Sequence, residues 1–230
     1  MNNTVIIPAL NEAEAIGKVI AAIPRDWVSE IVVADNGSTD NTAEVARQAG
    51  ATVVSAPQRG YGSACLAAMQ YISQKKTSEQ PEIVIFLDAD YSDYPDELPL
   101  LVYPIQTENY DMIIGSRVLG KSEKGSLTVP QRFGNWLSTR LLRLLYGVKF
   151  TDLGPFRAIK WSALQALDMQ DKDFGWTVEM QAKAAKQGLK CKEEAVSYRC
   201  RKTGKSKVSG NIRGSFLAGH KILYTIFKYW

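Results

Sequence analysis

Four short runs of aliphatic and β-branched residues, at 4–8, 30–34, 52–55 and 82–87, are separated by three stretches of helical periodicity, at 12–23, 41–50 and 61–75. The runs are apolar throughout and do not alternate with polar residues, so both faces of each strand must be covered. That order, with strands of that kind, predicts an α/β fold: a Rossmann-like, mostly parallel sheet flanked by helices. In such sheets ligands bind beyond the carboxyl ends of the strands.

Those ends carry the chemistry. Pro8-Ala-Leu-Asn-Glu12 follows the first strand and Asp35-Asn-Gly-Ser-Thr-Asp40 the second. Asp88-Ala-Asp90 follows the fourth, and a fifth strand over 111–115 leads into Ser116-Arg117. Aspartates two residues apart at a strand end point the same way, so Asp88 and Asp90 can serve one cation. Hard divalent ions such as Mg²⁺ and Mn²⁺ take carboxylate oxygens and leave positions for substrate phosphates. The bland alternative is a solvated acidic loop or a helix start. Asp93, Asp96 and Glu97 are assigned to it, because Pro95 and neighbouring acids suit a first helical turn. Asp35 stands where a nucleoside would dock and could accept from its base or ribose, whereas Asp40 reads as a helix cap.

Past residue 118 the regular alternation stops. The Gly/Ser/Lys-rich stretch 120–130 reads as a flexible flap over a site. Residues 131–146 form a basic amphipathic helix pattern, followed by a strand at 156–159, a helix at 177–187, a strand at 190–199 and a last amphipathic helix at 211–230. The chain divides on this reading into a nucleotide-binding half (1–117), an acceptor half (118–210) and the C-terminal helix (211–230), all within one domain.

Charge is unevenly spread. The formal net charge of +4 is too small to imply nucleic acid, but acids collect at 88–97 and 108–111 while bases dominate 117–160 and 199–228. Cys65, Cys191 and Cys200 show no paired spacing, which fits a reducing compartment. No uncharged apolar run nears the roughly 18–20 residues of a membrane span, and no signal-peptide pattern opens the chain. The expectation is a cytoplasmic protein, with peripheral contact at the inner membrane face or a homodimer interface open to the two amphipathic helices. His220 is assigned to packing or surface and Cys65 to the core.

Together, "VIIPALNEAEAI", "IVVADNGSTDNT", "FLDADYSDYPDELP" and "IIGSR" resemble glycosyltransferase family 2 on the GT-A fold. "PQRFGNWLSTRLLRLLYGVKFTDLGPFRAI" and "YRCRKTGKSKVSG" resemble later segments of dolichol-phosphate mannosyltransferase-like and polyprenyl-phosphate glycosyltransferases, so the likeness covers nearly all of the chain. It implies a nucleoside-diphosphate sugar donor and inversion at the anomeric carbon. Pro8, Leu10, Glu12 and Asp35 would line the nucleotide pocket, and Asp88 and Asp90 would hold the divalent metal. Arg117, Arg201 and Lys205 would meet the donor phosphates. Arg132, Asp152, Arg157 and Arg199 would serve the acceptor, and Lys202 and Lys207 read as surface.

Members that use lipid phosphates often carry transmembrane helices after this domain, and this chain shows none. The acceptor is therefore expected to be a polyprenyl or dolichyl phosphate reached at a surface, or else a soluble hydroxyl. A hydroxyl needs a base, for which Glu179 is the first candidate; a phosphate monoester needs none. Two rivals of other classes are a haloacid-dehalogenase-like phosphatase, since "VIFLDAD" also ends a strand with two acids, and a non-catalytic sugar-nucleotide-binding subunit. The phosphatase pattern leaves Glu12 and Asp35 without a role.

Overall fold

The computed structural model describes residues 2–202 and 212–230. Among them, seven strands form one sheet in the order β3-β2-β1-β4-β6-β5-β7. They are β1 (Asn3–Ala9), β2 (Glu30–Asp35), β3 (Thr52–Ser55), β4 (Ile83–Phe86), β5 (Met112–Ser116), β6 (Arg157–Lys160) and β7 (Cys191–Ala195). All run parallel except β6, which lies antiparallel between β4 and β5. Pro8, near the end of the interior strand β1, breaks no ladder bond. The Ile6 carbonyl accepts from Leu87, so Pro8, two residues on, faces the β4 side, where pairing has already ended at Ile6 opposite Phe86.

Alternate residues of each strand feed two apolar layers. Val5, Ile7, Val33 and Ile85 pack under α1 (Ala13–Ala22), α2 (Thr42–Gln48) and α4 (Leu98–Thr107). Ile6, Val32, Val84 and Phe86 pack under α3 (Tyr61–Ser73), α6 (Trp161–Ala166) and α7 (Trp176–Lys186). This is why the strands read as apolar on both faces.

Two longer helices lie outside these layers and pack on each other: α5 (Val129–Tyr146) and α8 (Ile212–Lys228). α5 starts at a capping box, in which Thr128 accepts from the Gln131 amide and Gln131 accepts from the Thr128 amide. It stops at Gly147, whose φ of 70° is the left-handed conformation that ends helices. The Tyr146 hydroxyl donates to the Ile226 carbonyl at 2.6 Å, fastening α5 to α8.

Two expectations change here. The strand expected over 190–199 ends at Ala195, because 196–200 turns away to bond the 118–123 segment. The start of the stretch 120–130, expected as a flexible flap, is tied down: Lys121 and Glu123 exchange backbone bonds with Tyr198, and the Glu123 carboxylate accepts from the Cys200 amide. Gly120 sits so close that a β-carbon would lie 2.0 Å from the Val196 carbonyl oxygen.

Candidate active site

The loops after β1 and β2 interlock. The Asn11 carboxamide oxygen accepts from the Thr39 amide at 2.7 Å, Ser38 accepts from the Asn11 amide, and Thr42 accepts from the Glu12 amide at 2.8 Å. They border a cavity of about 320 Å³ lined by Pro8, Leu10, Glu12, Asn36, Arg59, Gly60, Tyr61, Asp88, Asp90, Asp173, Phe174 and Arg201. It opens between β1 and β4, where the strand order reverses, which is where ligands of such sheets bind. A second, larger cavity of about 970 Å³ runs from Asp88, Asp90 and Arg117 past Tyr198, Arg132, Trp136, Arg140 and Arg143 to Ala218, Gly219 and Ile222 of α8. Tyr61, Asp88, Asp90, Phe174 and Arg201 border both, so the acidic pair stands where the two spaces meet.

The pair is held with excess negative charge. Burial, with Asp90 next to it, pushes Asp88 up to about 7, while Tyr61 donates to it at 3.1 Å. Asp90 accepts from the Ser92 amide at 2.9 Å and from Arg201 at 3.2 Å, and Arg201 also pairs with Glu12. One guanidinium from far along the chain thus joins the β1 and β4 ends. Tyr91 is left with φ of 61°, a costly conformation for a bulky residue, and Arg199 stacks on its ring at 3.9 Å.

Arg117 is fixed just as firmly. Its amide and Nε donate to Asp152 Oδ2 at 2.8 Å each, and its Nη2 to Oδ1 at 2.7 Å. Burial lowers the guanidinium's hold on its proton, but the Asp152 carboxylate more than reverses this and keeps it above its ordinary value. Asp152 is placed in turn by Glu193 of β7, which accepts from the Thr151 and Asp152 amides.

Several expected site residues prove to be supports. Asp152 is 1% exposed and holds Arg117, so it is not offered to a ligand. Arg157 is fully buried and donates to the carbonyls of Leu153, Gly154 and Thr177, which corrects its reading as an acceptor-phosphate group. Arg199 is corrected likewise: it lies between the Tyr91 and Tyr94 rings and donates to the Asp93 carbonyl. Glu179, the base candidate, is fully buried, accepts from the Gln170 and Asp171 amides, pairs with Lys183 at 2.8 Å and borders neither cavity. Asp35 also borders neither; it accepts from the Ser38 amide, and Asn36 beside it lines the smaller space. Lys205 lies outside the described residues, as does Lys207. Arg59, Tyr61, Phe174 and Tyr198 were not foreseen: the three aromatic residues lie in helix and loop patterns that look like core, and Arg59 stands alone in a loop with no motif around it.

Asp93 departs from its expected role in the loop. It is 2% exposed, neither carboxylate oxygen finds a hydrogen-bond partner among the described residues, and burial, followed by the charge of Asp88, pushes it well up. An acid whose folded pKa lies above its unfolded value of about 4 keeps its proton while the unfolded chain loses it, so stability falls as pH rises through that window. Asp93→Asn removes this penalty. Its unfolding midpoint in metal-free buffer will exceed that of the wild type at pH 7 and match it near pH 4. A lower midpoint at pH 7 would show that Asp93 is ionised and needed as such.

The fold and the cleft define a glycosyltransferase of GT-A architecture, and comparison with known proteins agrees. The family model described as Glycosyl transferase family 2 matches residues 4–168, and the chain belongs to that family. It is 37% identical over 217 residues to an uncharacterized glycosyltransferase of Mycobacterium tuberculosis, covering 94% of this chain and 93% of that protein. To a dolichyl-phosphate hexose transferase of Haloferax volcanii it is 32% identical over 209 residues, covering 89% and 85%. To an undecaprenyl-phosphate mannosyltransferase of Micrococcus luteus it is 27% identical over 223 residues, covering 91% and 88%. Among solved structures, glucosyl-3-phosphoglycerate synthase from M. tuberculosis, in complex with Mn²⁺, uridine diphosphate and glucosyl-3-phosphoglycerate, matches with a TM-score of 0.77 at 22% identity, covering 99% of this chain and 79% of that one.

Proposed function

We propose that this enzyme transfers a hexose, with inversion, from a nucleoside-diphosphate sugar to a polyprenyl phosphate presented at a membrane surface. The observation that carries the reading is the acidic pair at the meeting of two unlike cavities: a compact one between the β1 and β4 ends for the nucleotide, and a large one opening between α5 and α8 for the acceptor. Two of the relatives above are named as transferases acting on polyprenyl phosphates.

Asp88 and Asp90 suit a hard divalent ion. They are carboxylates just past one strand end whose charge Arg201 answers only in part, and no third acidic, histidine or cysteine side chain joins them among the described residues, which leaves positions for diphosphate oxygens. When bound there, Mg²⁺ or Mn²⁺ would neutralise charge developing on the departing nucleoside diphosphate. Arg201, reaching both Asp90 and Glu12, supplies a further cation at the junction. Among the described residues, Arg117, with Nε and Nη2 committed to Asp152, keeps Nη1 for an acceptor phosphate, and Arg132 lines the same space.

Apart from Asp88 and Asp90, which this reading gives to the divalent ion, no acid lines the larger cavity among the described residues, so no further carboxylate stands ready as base for a hydroxyl. A phosphate monoester is already anionic. Its oxygen attacks the anomeric carbon from the face opposite the leaving group, and the C–O bond electrons depart on the diphosphate.

No helix among the described residues is long and apolar enough to cross a membrane. The α5–α8 face instead exposes Phe133, Trp136, Leu144, Leu217, Tyr224 and Phe227. Residues 124–151 and 195–230 contain no acid, whereas Arg132, Arg140, Arg143, Lys149 and Lys221 lie in them. Self-pairing would bring like charges together; anionic headgroups complement them.

With Mn²⁺, UDP-glucose or GDP-mannose, and undecaprenyl phosphate in phosphatidylglycerol-containing vesicles, the enzyme will form a glycosyl lipid phosphate. Binding to those vesicles will exceed binding to pure phosphatidylcholine by about tenfold or more at low salt, and the excess will fade as salt rises. Sugar transfer to 3-phosphoglycerate, with none to the lipid phosphate, would overturn the reading.

A further inference from the structure

The turn before α7 joins three elements that the chemistry above leaves unconnected. Phe174 in it borders both cavities. Beneath it, Asp171 is 7% exposed, and its Oδ1 accepts from the Asp173 amide at 2.8 Å and the Gly175 amide at 3.1 Å, which shapes the turn around Phe174. Its other oxygen, Oδ2, takes the Lys221 ammonium of α8 at 2.9 Å. The contact is tight: a β-carbon on Gly175 would lie 2.5 Å from Asp171 Oδ2 and 2.5 Å from Thr225 Oγ1 of α8. On its other side the turn rests on the first turn of α3, where the Ser63 amide and hydroxyl donate to the Lys172 carbonyl at 3.0 and 3.2 Å. That same first turn carries Tyr61, the donor to Asp88.

A continuous set of contacts therefore leads from α8, which walls the acceptor cavity, through Lys221 and Asp171 to Phe174 and the nucleotide cavity. We propose that Asp171 is a positioning residue: it ties the placement of Phe174 to the docking of α8, so that the state of α8 sets nucleotide affinity. Glu179, by accepting from the Asp171 amide, is the fixed footing of this joint. Coupling of this kind is reciprocal, so donor binding also steadies α8 and with it the acceptor wall. This deepens the reading above and depends on it only where nucleotide is used.

The test is hydrogen exchange on the full chain with Lys221→Met, set against Lys228→Met, which removes the same charge from the same helix at a residue that donates to Tyr229 instead. In the free protein, Lys221→Met will speed exchange at amides 171–175 by about tenfold, and Lys228→Met will leave it unchanged. UDP or GDP with Mn²⁺ will protect both the turn and residues 218–225 in wild type but only the turn in Lys221→Met, with the dissociation constant raised about fivefold or more. Asp171→Asn, which keeps an acceptor for the turn amides, will behave as Lys221→Met does. Unchanged exchange at 171–175, or equal nucleotide affinity in wild type and Lys221→Met, overturns the proposal. If wild type binds neither nucleotide, the donor reading fails separately, and exchange in the free protein decides this one.

Discussion

Asp90→Ala and Asp88→Asn will each lower sugar transfer by about 10³-fold, equivalent to about 4 kcal/mol of transition-state stabilisation, with the protein still folded. The two carboxylates lie in the turn that follows β4 and share the boundary of both cavities. Losing either leaves a single acid to hold a divalent ion, and the charge that develops on the leaving diphosphate goes largely unanswered. Stability moves the other way for Asp88→Asn. Burial and the Asp90 charge push Asp88 up to about 7, so its ionisation near neutral pH opposes folding, and its amide will unfold no more readily than wild type in metal-free buffer. The measurements are nucleoside diphosphate release with Mn²⁺ and thermal unfolding with and without Mn²⁺. Transfer that survives in Asp90→Ala, or persists in chelator, would remove the metal from the proposed chemistry. A Mn²⁺-dependent rise in midpoint that survives in both variants would place the ion elsewhere.

How legible these features were in the sequence follows from what each depends on. The first half of the sheet could be read because four wholly apolar runs admit only a covered parallel sheet, and polar residues at strand ends then share one edge by topology. Asp88 and Asp90 were picked out by that position, whereas Glu12 and Leu10 came only from the resemblance to family 2; all four border the smaller cavity. Beyond residue 118, position stops being informative. Nothing in the order of elements shows that β6 runs backwards between β4 and β5, because that is decided by packing of 153–160 against distant strands. Arg117, Arg157 and Arg199 look alike as isolated arginines near a basic region. What separates them is who faces them: Asp152 turns one toward the cleft, three carbonyls bury the second and two tyrosine rings stack the third. Glu179 likewise reads as an active-site acid until the amides of Gln170 and Asp171 are seen on it. Burial and pairing are tertiary facts, and they divide functional charges from structural ones. Phe174 and Tyr61 were invisible for the opposite reason, since aromatic residues that line a cavity share their pattern with those that fill a core.

Asp152→Ala will destabilise the protein by about 3–5 kcal/mol, the largest effect on folding expected of any change near the cleft. Asp152 is 1% exposed and the Arg117 side chain 14%, so neither charge can be left to water when its partner goes. Three hydrogen bonds, from the Arg117 amide, Nε and Nη2, lose their acceptor at once. The Glu193 carboxylate that accepts from the Thr151 and Asp152 amides would be left supporting a turn with nothing to hold. A paired change separates the structural loss from the catalytic one. Arg117→Met with Asp152→Leu removes both charges and will recover most of the lost stability, since an apolar replacement of a buried pair costs little. It will not recover transfer, which on the proposed function Arg117→Met alone lowers by about 10²-fold or more, through loss of a fixed cation where the proposed acceptor phosphate would sit. Urea unfolding of the four proteins and transfer to a polyprenyl phosphate give both readouts. If Asp152→Ala unfolds at the wild-type midpoint, the guanidinium has another partner and the pair is not what orients it. If the double variant transfers sugar at the wild-type rate, Arg117 belongs to the fold alone and the acceptor phosphate is held by Arg132 and Arg201.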